Sequence, residues 1–441
     1  MGTEERNILK IFLQKLDWLI LGTVGILVIF GSILVYSATI RFDNPLLFVV
    51  KQFIALVLGI LVFVLLASIN YEIYKTYFYR IYIVSILLLI VVLIFGTSVR
   101  GTRAWLNFGQ FSIQVSELTR LLFIISLAGY LDKEWRELYR WQKLVIPIIM
   151  LLGNVCLILL QPDFSGIVMY FPIFITVLFC ANVRILHLLG IILYGFVTVS
   201  IPLLKTLLRA NIKYGLIVKL LENNLYVILL IVFIGLFLLF LWWFLRQLRI
   251  FIPIFYFICT FLIIISGVIS SYVVDHSLKE YQKKRLIVFI NPNIDPLGSG
   301  YNIIQSKIAI GSGRIFGKGI FNGKQTQLGY VPARHTDFIF SLLGEEMGFV
   351  FSTFVVILYL ILVLRCIKTA RVARDRYGSL VATGISAMFA FYALINIGMV
   401  IGMMPITGLP LPFFSYGGSS LFASLAAIGL LQSIYIRRFI Y

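Results

Sequence analysis

The stretch DWLILGTVGILVIFGSILVYSATI, residues 17–40, decides the fold. As a helix rising about 1.5 Å per residue, it is long enough to cross the roughly 30 Å hydrocarbon layer of a bilayer. It is too long for a signal-peptide core and carries no clear small-residue cleavage site, so it is expected to remain as the first span. Comparable runs recur along the chain and predict about twelve spans: 17–39, 45–69, 77–96, 116–131, 143–161, 165–182, 185–204, 223–245, 250–274, 337–364, 378–402 and 412–435. Hydrophobic residues make up 61% of the 441 positions and charged ones 12%, with a mean hydropathy of +1.02. That composition excludes an ordinary soluble domain and predicts an all-α polytopic membrane protein.

The net charge of +19 could suggest nucleic acid, but the loop bias of a membrane protein accounts for much of it, and no nucleic-acid partner is expected. Short-loop cations set the orientation. The N-terminal tail (Arg6, Lys10, Lys15), the 132–142 loop with Lys143, the 365–376 loop and the Arg437-Arg438 tail fall on one side, which is expected to be cytoplasmic with both termini. The 97–115, 205–222 and 275–336 loops then face outward. Cys156, Cys180, Cys259 and Cys366 are far apart in apolar runs and predict no disulfide; the three histidines are too scattered for a metal site.

The 275–336 loop holds nine Lys or Arg residues against Asp275, Glu280 and Asp295, and leads directly into Asp337 and an apolar helix carrying Glu345 and Glu346. Ionisable groups at membrane depth mark functional sites. Cations beside a carboxylate suit an anionic, phosphate-bearing substrate; tolerance of charge in a long loop explains the same bias equally well. Within the loop, GSGRIFGKG (311–319) lacks the first Gly and the Ser or Thr of a nucleotide-binding loop. Its glycines suit a bent re-entrant or surface segment, with Arg314 and Lys318 available to phosphates.

Four outward-facing pieces stand out: GTRAWLNFG (101–109) followed by QVSELTR (114–120); QPDFSG (161–166); NPNIDPLGSGY (291–301) running through QSK (305–307) to HTDFIF (335–340); and PITGLPLPFFSYGGSS (405–420). In this order they resemble the SEDS family (shape, elongation, division and sporulation), and DPLGSGYNIIQSKIAIGSG with VPARHTDFIF is similar to its RodA-like elongation branch rather than its FtsW-like division branch. The resemblance covers nearly the whole chain outside about 205–274. Val115 stands where the family usually has Pro, Arg120 where Lys is usual, and Phe164-Ser165-Gly166 where Leu-Gly-Thr is usual. The family has ten spans, so residues 205–274 read as an insertion carrying two more within a single membrane domain, 1–441.

The resemblance implies polymerisation of lipid II at the outer face of the bacterial cytoplasmic membrane during cell-wall elongation. It also implies a class B penicillin-binding protein, a transpeptidase, as partner. No cofactor is certain; a divalent cation, Mg or Mn, is possible. Asp337 matches the family's essential aspartate and is the candidate base, against the alternative that it caps the helix behind it. Lys307, Lys318, Arg334, His335, Ser415 and Tyr416 are candidate substrate contacts. Glu345 and Glu346 can line the cavity, relay protons or hold a structural network. Glu117 and Arg120, spaced i,i+3, can pair with each other or, through Arg120, meet a lipid pyrophosphate. Asp163 can close a turn or contact substrate, and Trp105 can stack on a sugar or anchor at the interface. A lipid II flippase and a non-catalytic scaffold for cell-wall synthases remain the rival readings.

Overall fold

The computed structural model describes residues 14–99, 102–109, 111–210, 224–277 and 300–439, with isolated positions between 285 and 298. Lys279, Lys283 and Lys284 of the cationic loop, and 211–223 of the middle loop, lie outside the described residues. Among the described residues, ten helices are long and apolar enough to cross a membrane. The protein is therefore a helical, multi-pass membrane protein.

The chain opens with α1 (Trp18–Thr39), α2 (Pro45–Ser68) and α3 (Phe78–Phe95). Asp17 caps α1 by accepting from the amides of Leu19 and Ile20. A small antiparallel sheet follows where a plain loop was expected: β1 (Thr97–Val99), β2 (Thr102–Phe108) and β3 (Phe111–Gln114). Register pairs Phe108 with Phe111 across a two-residue turn whose Gly109 has φ +64°, a conformation glycine adopts without penalty. The sheet delivers the chain into α4 (Val115–Lys133), buried along almost its whole length. Then come α5 (Val145–Leu160) and α6 (Tyr170–Cys180).

Two of the twelve expected spans differ in kind from the rest. The one expected at 116–131 is α4, which carries Glu117 and Arg120 and is enclosed by protein rather than lipid. The one expected at 165–182 is divided into a short helix, Phe164–Val168, and α6. In the first, Glu117 and Arg120 find their partners inside the protein; the second stays apolar from Phe164 to Cys180 but is shorter than the other spans.

Packing divides the chain into two compact units, Met1–Val183 with Asn302–Tyr441, and Arg184–Tyr301. The second unit contains α7 (Ile185–Ala210), α8 (Asn224–Gln247) and α9 (Ile254–Ser277), so the pair expected at 223–245 and 250–274 is present. Tyr194 and Ser270 share a 2.6 Å hydrogen bond between α7 and α9.

The first unit resumes with α10 (Tyr301–Gly313), α11 (Ile339–Val372), α12 (Arg376–Val400) and α13 (Gly418–Ile436). α11 is broken at Gly348, whose φ of +73° and ψ of −168° are not helical. At the end where α1 begins, Arg365 of α11 donates from Nε and Nη2 to Asp17 Oδ2 at 3.0 and 2.6 Å. Gln432 of α13 exchanges two hydrogen bonds with the Asp17 main chain. Three helices are thus tied at one membrane face.

Candidate active site

Asp337 sits in a turn set by Ala333, whose left-handed φ of +52° lets its carbonyl accept from the amides of Thr336 and Phe338 at 3.0 and 3.3 Å. The cap position of α11 is Phe338, without a side-chain cap bond, and Asp337 stands one residue ahead of it. Its main-chain carbonyl accepts from Asn396 Nδ2 at 2.9 Å. The same nitrogen donates to the carbonyl of Leu409 at 2.6 Å. Asn396 is fully buried on α12, and its Oδ1 has no hydrogen-bond partner. One amide therefore joins the Asp337 turn to the proline-rich segment after α12.

That segment, 405–417, is irregular backbone, tolerated at membrane depth only where other groups satisfy it. Side chains do so here. Tyr359 donates to the Pro412 carbonyl, Ser415 Oγ accepts from Leu411 N at 2.8 Å, and Gln52 bridges the Ser415 carbonyl and the Gly417 amide. Tyr416 N donates to the His335 carbonyl at 2.9 Å. The His335 ring lies among Phe42, Phe48 and Tyr416, with centroids 5.7 to 5.8 Å apart. Asp337, His335, Ser415 and Tyr416 are thereby brought into one assembly.

Arg334 belongs to it. Its Nε donates to the Ala38 carbonyl in the last turn of α1 at 2.8 Å, and its guanidinium lies 5.2 Å from the centre of the Phe42 ring. Only 6% exposed, it makes no ion pair with a carboxylate among the described residues. Burial, and then the charge of Arg41, pull its pKa below the ordinary guanidinium range. Lys307 stands nearby in the chain's packing: its neighbour Ser306 bonds Ser341 Oγ at 2.8 Å and the Val400 carbonyl at 2.7 Å. Lys307 itself is exposed, its Cε and Nζ lying against Gly402.

A second polar cluster surrounds the start of α4. Asp163 accepts from Gln114 Nε2, Ser116 Oγ, Ser165 Oγ and Gly166 N, closing the turn before the short helix. Glu117 pairs with Arg120 at 3.2 Å and accepts from Tyr392 OH at 2.5 Å. Arg120 is 1% exposed and stacks on Tyr392 at 5.1 Å. This corrects the expectation of a lipid contact: enclosed by Glu117 and Tyr392, Arg120 offers no open face to a headgroup. Trp105, half-buried on β2, lies opposite Gln114 at the edge of this cluster. Tyr392 and Asn396 are one helical turn apart on α12, so one helix face holds the Glu117 network and the Asp337 turn together.

A third cluster lies under the glycine-rich loop. Glu345, fully buried, accepts from Lys318 Nζ, the amides of Gln325 and Thr326, and Thr326 Oγ1, all at 2.8 Å. Glu346 accepts from Ser37 and from Gln327, whose amide also reaches the Phe321 carbonyl. Lys318 also donates to Ser312 at 2.7 Å. The phosphate contact expected of Lys318 is therefore not what its geometry serves; it anchors the loop to Glu345. Of the glutamates' open roles, this is the structural network.

Sequence reasoning did not single out Asn396, Gln52 or Tyr392. The available signal was a polar side chain inside an apolar helix, which in a membrane protein seeks a buried partner.

A family model described as "Cell cycle protein", spanning FtsW, RodA and SpoVE, matches residues 13–223 and 203–438. The chain is 35% identical over 428 residues to peptidoglycan glycosyltransferase RodA of Treponema pallidum, covering 96% of this chain and 98% of that protein. Among solved structures it resembles a chain from a study titled "Structural coordination of polymerization and crosslinking by a peptidoglycan synthase complex", with a TM-score of 0.68 and 27% identity over 97% of this chain and 99% of that one. It also resembles the rod shape determining protein RodA of Thermus thermophilus, with a TM-score of 0.60 and 25% identity over 97% and 98%.

Proposed function

Because the chain belongs to the FtsW, RodA and SpoVE family, we propose that it is a peptidoglycan glycosyltransferase that polymerises lipid II at the outer face of the cytoplasmic membrane, with both termini cytoplasmic. The observation that carries the assignment of the site is the Asp337 turn, held by Asn396 and joined through His335 to Tyr416, beside a buried arginine that pairs with no carboxylate among the described residues.

In the proposed reaction the 4-hydroxyl of the acceptor's GlcNAc loses its proton to the Asp337 carboxylate as its oxygen bonds C1 of the donor's MurNAc. The bond from C1 to the pyrophosphate oxygen breaks, and its electron pair leaves with undecaprenyl pyrophosphate. A positioned base and a fixed cation are the two groups this transfer needs from the protein. Arg334 supplies the cation nearest in sequence to the base, and the exposed Lys307 supplies a second at the rim. Ser415 and Tyr416 border the sugar path, with Trp105 as an outlying contact, while Asp163 holds the turn beside it. Among the described residues no three His, Cys, Asp or Glu side chains gather to hold a metal.

A class B penicillin-binding protein is the proposed partner, since one solved relative comes from a study of polymerisation and crosslinking by a synthase complex. The test is purified protein given lipid II with and without such a transpeptidase, scored for glycan polymer. Polymer formation supports the reading. Movement of lipid II across vesicles with no polymer, partner present, would make the protein a flippase instead.

A further inference from the structure

Residues 314–330 turn Ile315, Phe316, Ile320 and Leu328 outward, and Phe316 is 80% exposed. Arg314 and Lys324 are exposed among them, and the stretch contains no Asp or Glu. The carboxylates nearest to it, Glu345 and Glu346, point inward and are engaged as anchors. An apolar surface carrying only cations complements a phospholipid leaflet, with acyl chains below and phosphates above.

Backbone that enters lipid needs its polar groups satisfied within the protein, and several in this stretch are bonded to α11. Phe349 N and Val350 N donate to the carbonyls of Arg314 and Ile315 at 2.9 and 3.1 Å. Lys318 N and Gly319 N donate to the carbonyls of Glu345 and Glu346 at 3.1 and 2.9 Å. The pairing exists because Gly348 breaks α11 there, and because Gly317, at φ +81°, has no Cβ to strike the Glu346 carbonyl 2.2 Å away.

Depth follows from α11. Arg365, Lys368 and Arg371 mark where that helix leaves the hydrocarbon, and no charged residue lies between Phe349 and Leu364. From Phe349 to Leu364 the helix rises about 22 Å, which is less than the roughly 30 Å apolar layer. Phe349 and Val350 are consequently within that layer, and Arg314 and Ile315, bonded to their amides, share their depth.

We propose that 314–330 is a re-entrant tongue inserted among the acyl chains of the leaflet on the Asp337 side, with Arg314 and Lys324 at its phosphates. The proposal stands on the membrane reading and is independent of the role assigned to Asp337.

A fluorescent amino acid placed at Phe316 by stop-codon suppression tests it without disturbing the native cysteines. The full-length protein, alone in vesicles of neutral and anionic phospholipid, is probed with lipids bearing a quencher on the acyl chain and with aqueous iodide. The same label at Ile357, on the outer side of α11, and at Glu137, in an exposed loop, brackets the response. The expected result is blue-shifted emission at Phe316, quenched several-fold more by the acyl-chain quencher than by iodide, as at Ile357. Emission and quenching at Phe316 matching Glu137 would overturn the proposal, and so would quenching that appears only when a second protein is added. Should the Phe316 variant fail to fold, the label at Ile320 gives the same reading.

Discussion

Arg365 and Arg334 hold opposite ends of the α1–α11 pair, yet among the described residues only Arg365 pairs with a carboxylate. At one end Arg365 meets Asp17, a matched ion pair reinforced by Gln432. At the other, Arg334 meets the Ala38 carbonyl and the Phe42 ring, and no Asp or Glu among the described residues pairs with it. A carbonyl at the C-terminus of a helix offers a partial negative charge and leaves most of the arginine's charge unanswered. Matched charges close a fold, whereas a buried cation left open is suited to an anion that arrives from outside.

The contrast can be broken at either end. Arg365→Met leaves Asp17 buried without its counter-ion and should cost on the order of 3 kcal/mol of stability. Thermal melting in detergent is expected to show that loss, with activity falling only as folded protein is lost. Arg334→Met should melt close to the parent while its KM for lipid II rises at least about tenfold, the scale of losing one charge-assisted contact. An unchanged KM would place Arg334 with the structural arginines.

Asn396 sharpens the account through the turn rather than the charge. Asn396→Leu removes the bond to the Asp337 carbonyl, and a loss of about tenfold in kcat with little change in KM is expected from misplacing a base. A shifted pH–rate profile would separate this from simple destabilisation, which changes the amount of active enzyme and not its pH dependence. The smallest effects belong to the lysines. Lys307→Gln should weaken lipid II use a few-fold at low salt and less at high salt, because exposed charges are screened. Lys318→Gln should lower the melting temperature instead, since it unpairs Glu345.

Much of this fold was legible because lipid demands long apolar helices, and residues such as 18–39 or 339–372 announce themselves by length and composition. The four motif pieces were legible by resemblance. The sheet was not read, although Thr102–Phe108 and Phe111–Gln114 flank a two-residue turn at Gly109, a hairpin signal outweighed by the search for spans. Arg120 was half read: its i,i+3 spacing to Glu117 gave the pair, but Tyr392, 272 positions further on, closes it off from lipid. The tie between Asp17 and Arg365 spans 348 positions and has no local pattern at all. Asn396 was hidden for the same reason, since only the folded chain brings it to the Asp337 carbonyl.

The central claim is that Asp337 is the base, and one substitution tests it most directly. Asp337→Asn keeps the size of the side chain and leaves the main-chain carbonyl that Asn396 holds, but it removes the group that takes the hydroxyl proton. Purified variant, shown by melting to be folded, is given lipid II and its glycan product measured by rate. The account predicts a loss of about 10²-fold or more, the usual scale for a missing acid–base group, with lipid II binding retained. Polymer at a rate near the parent's from folded Asp337→Asn would contradict it.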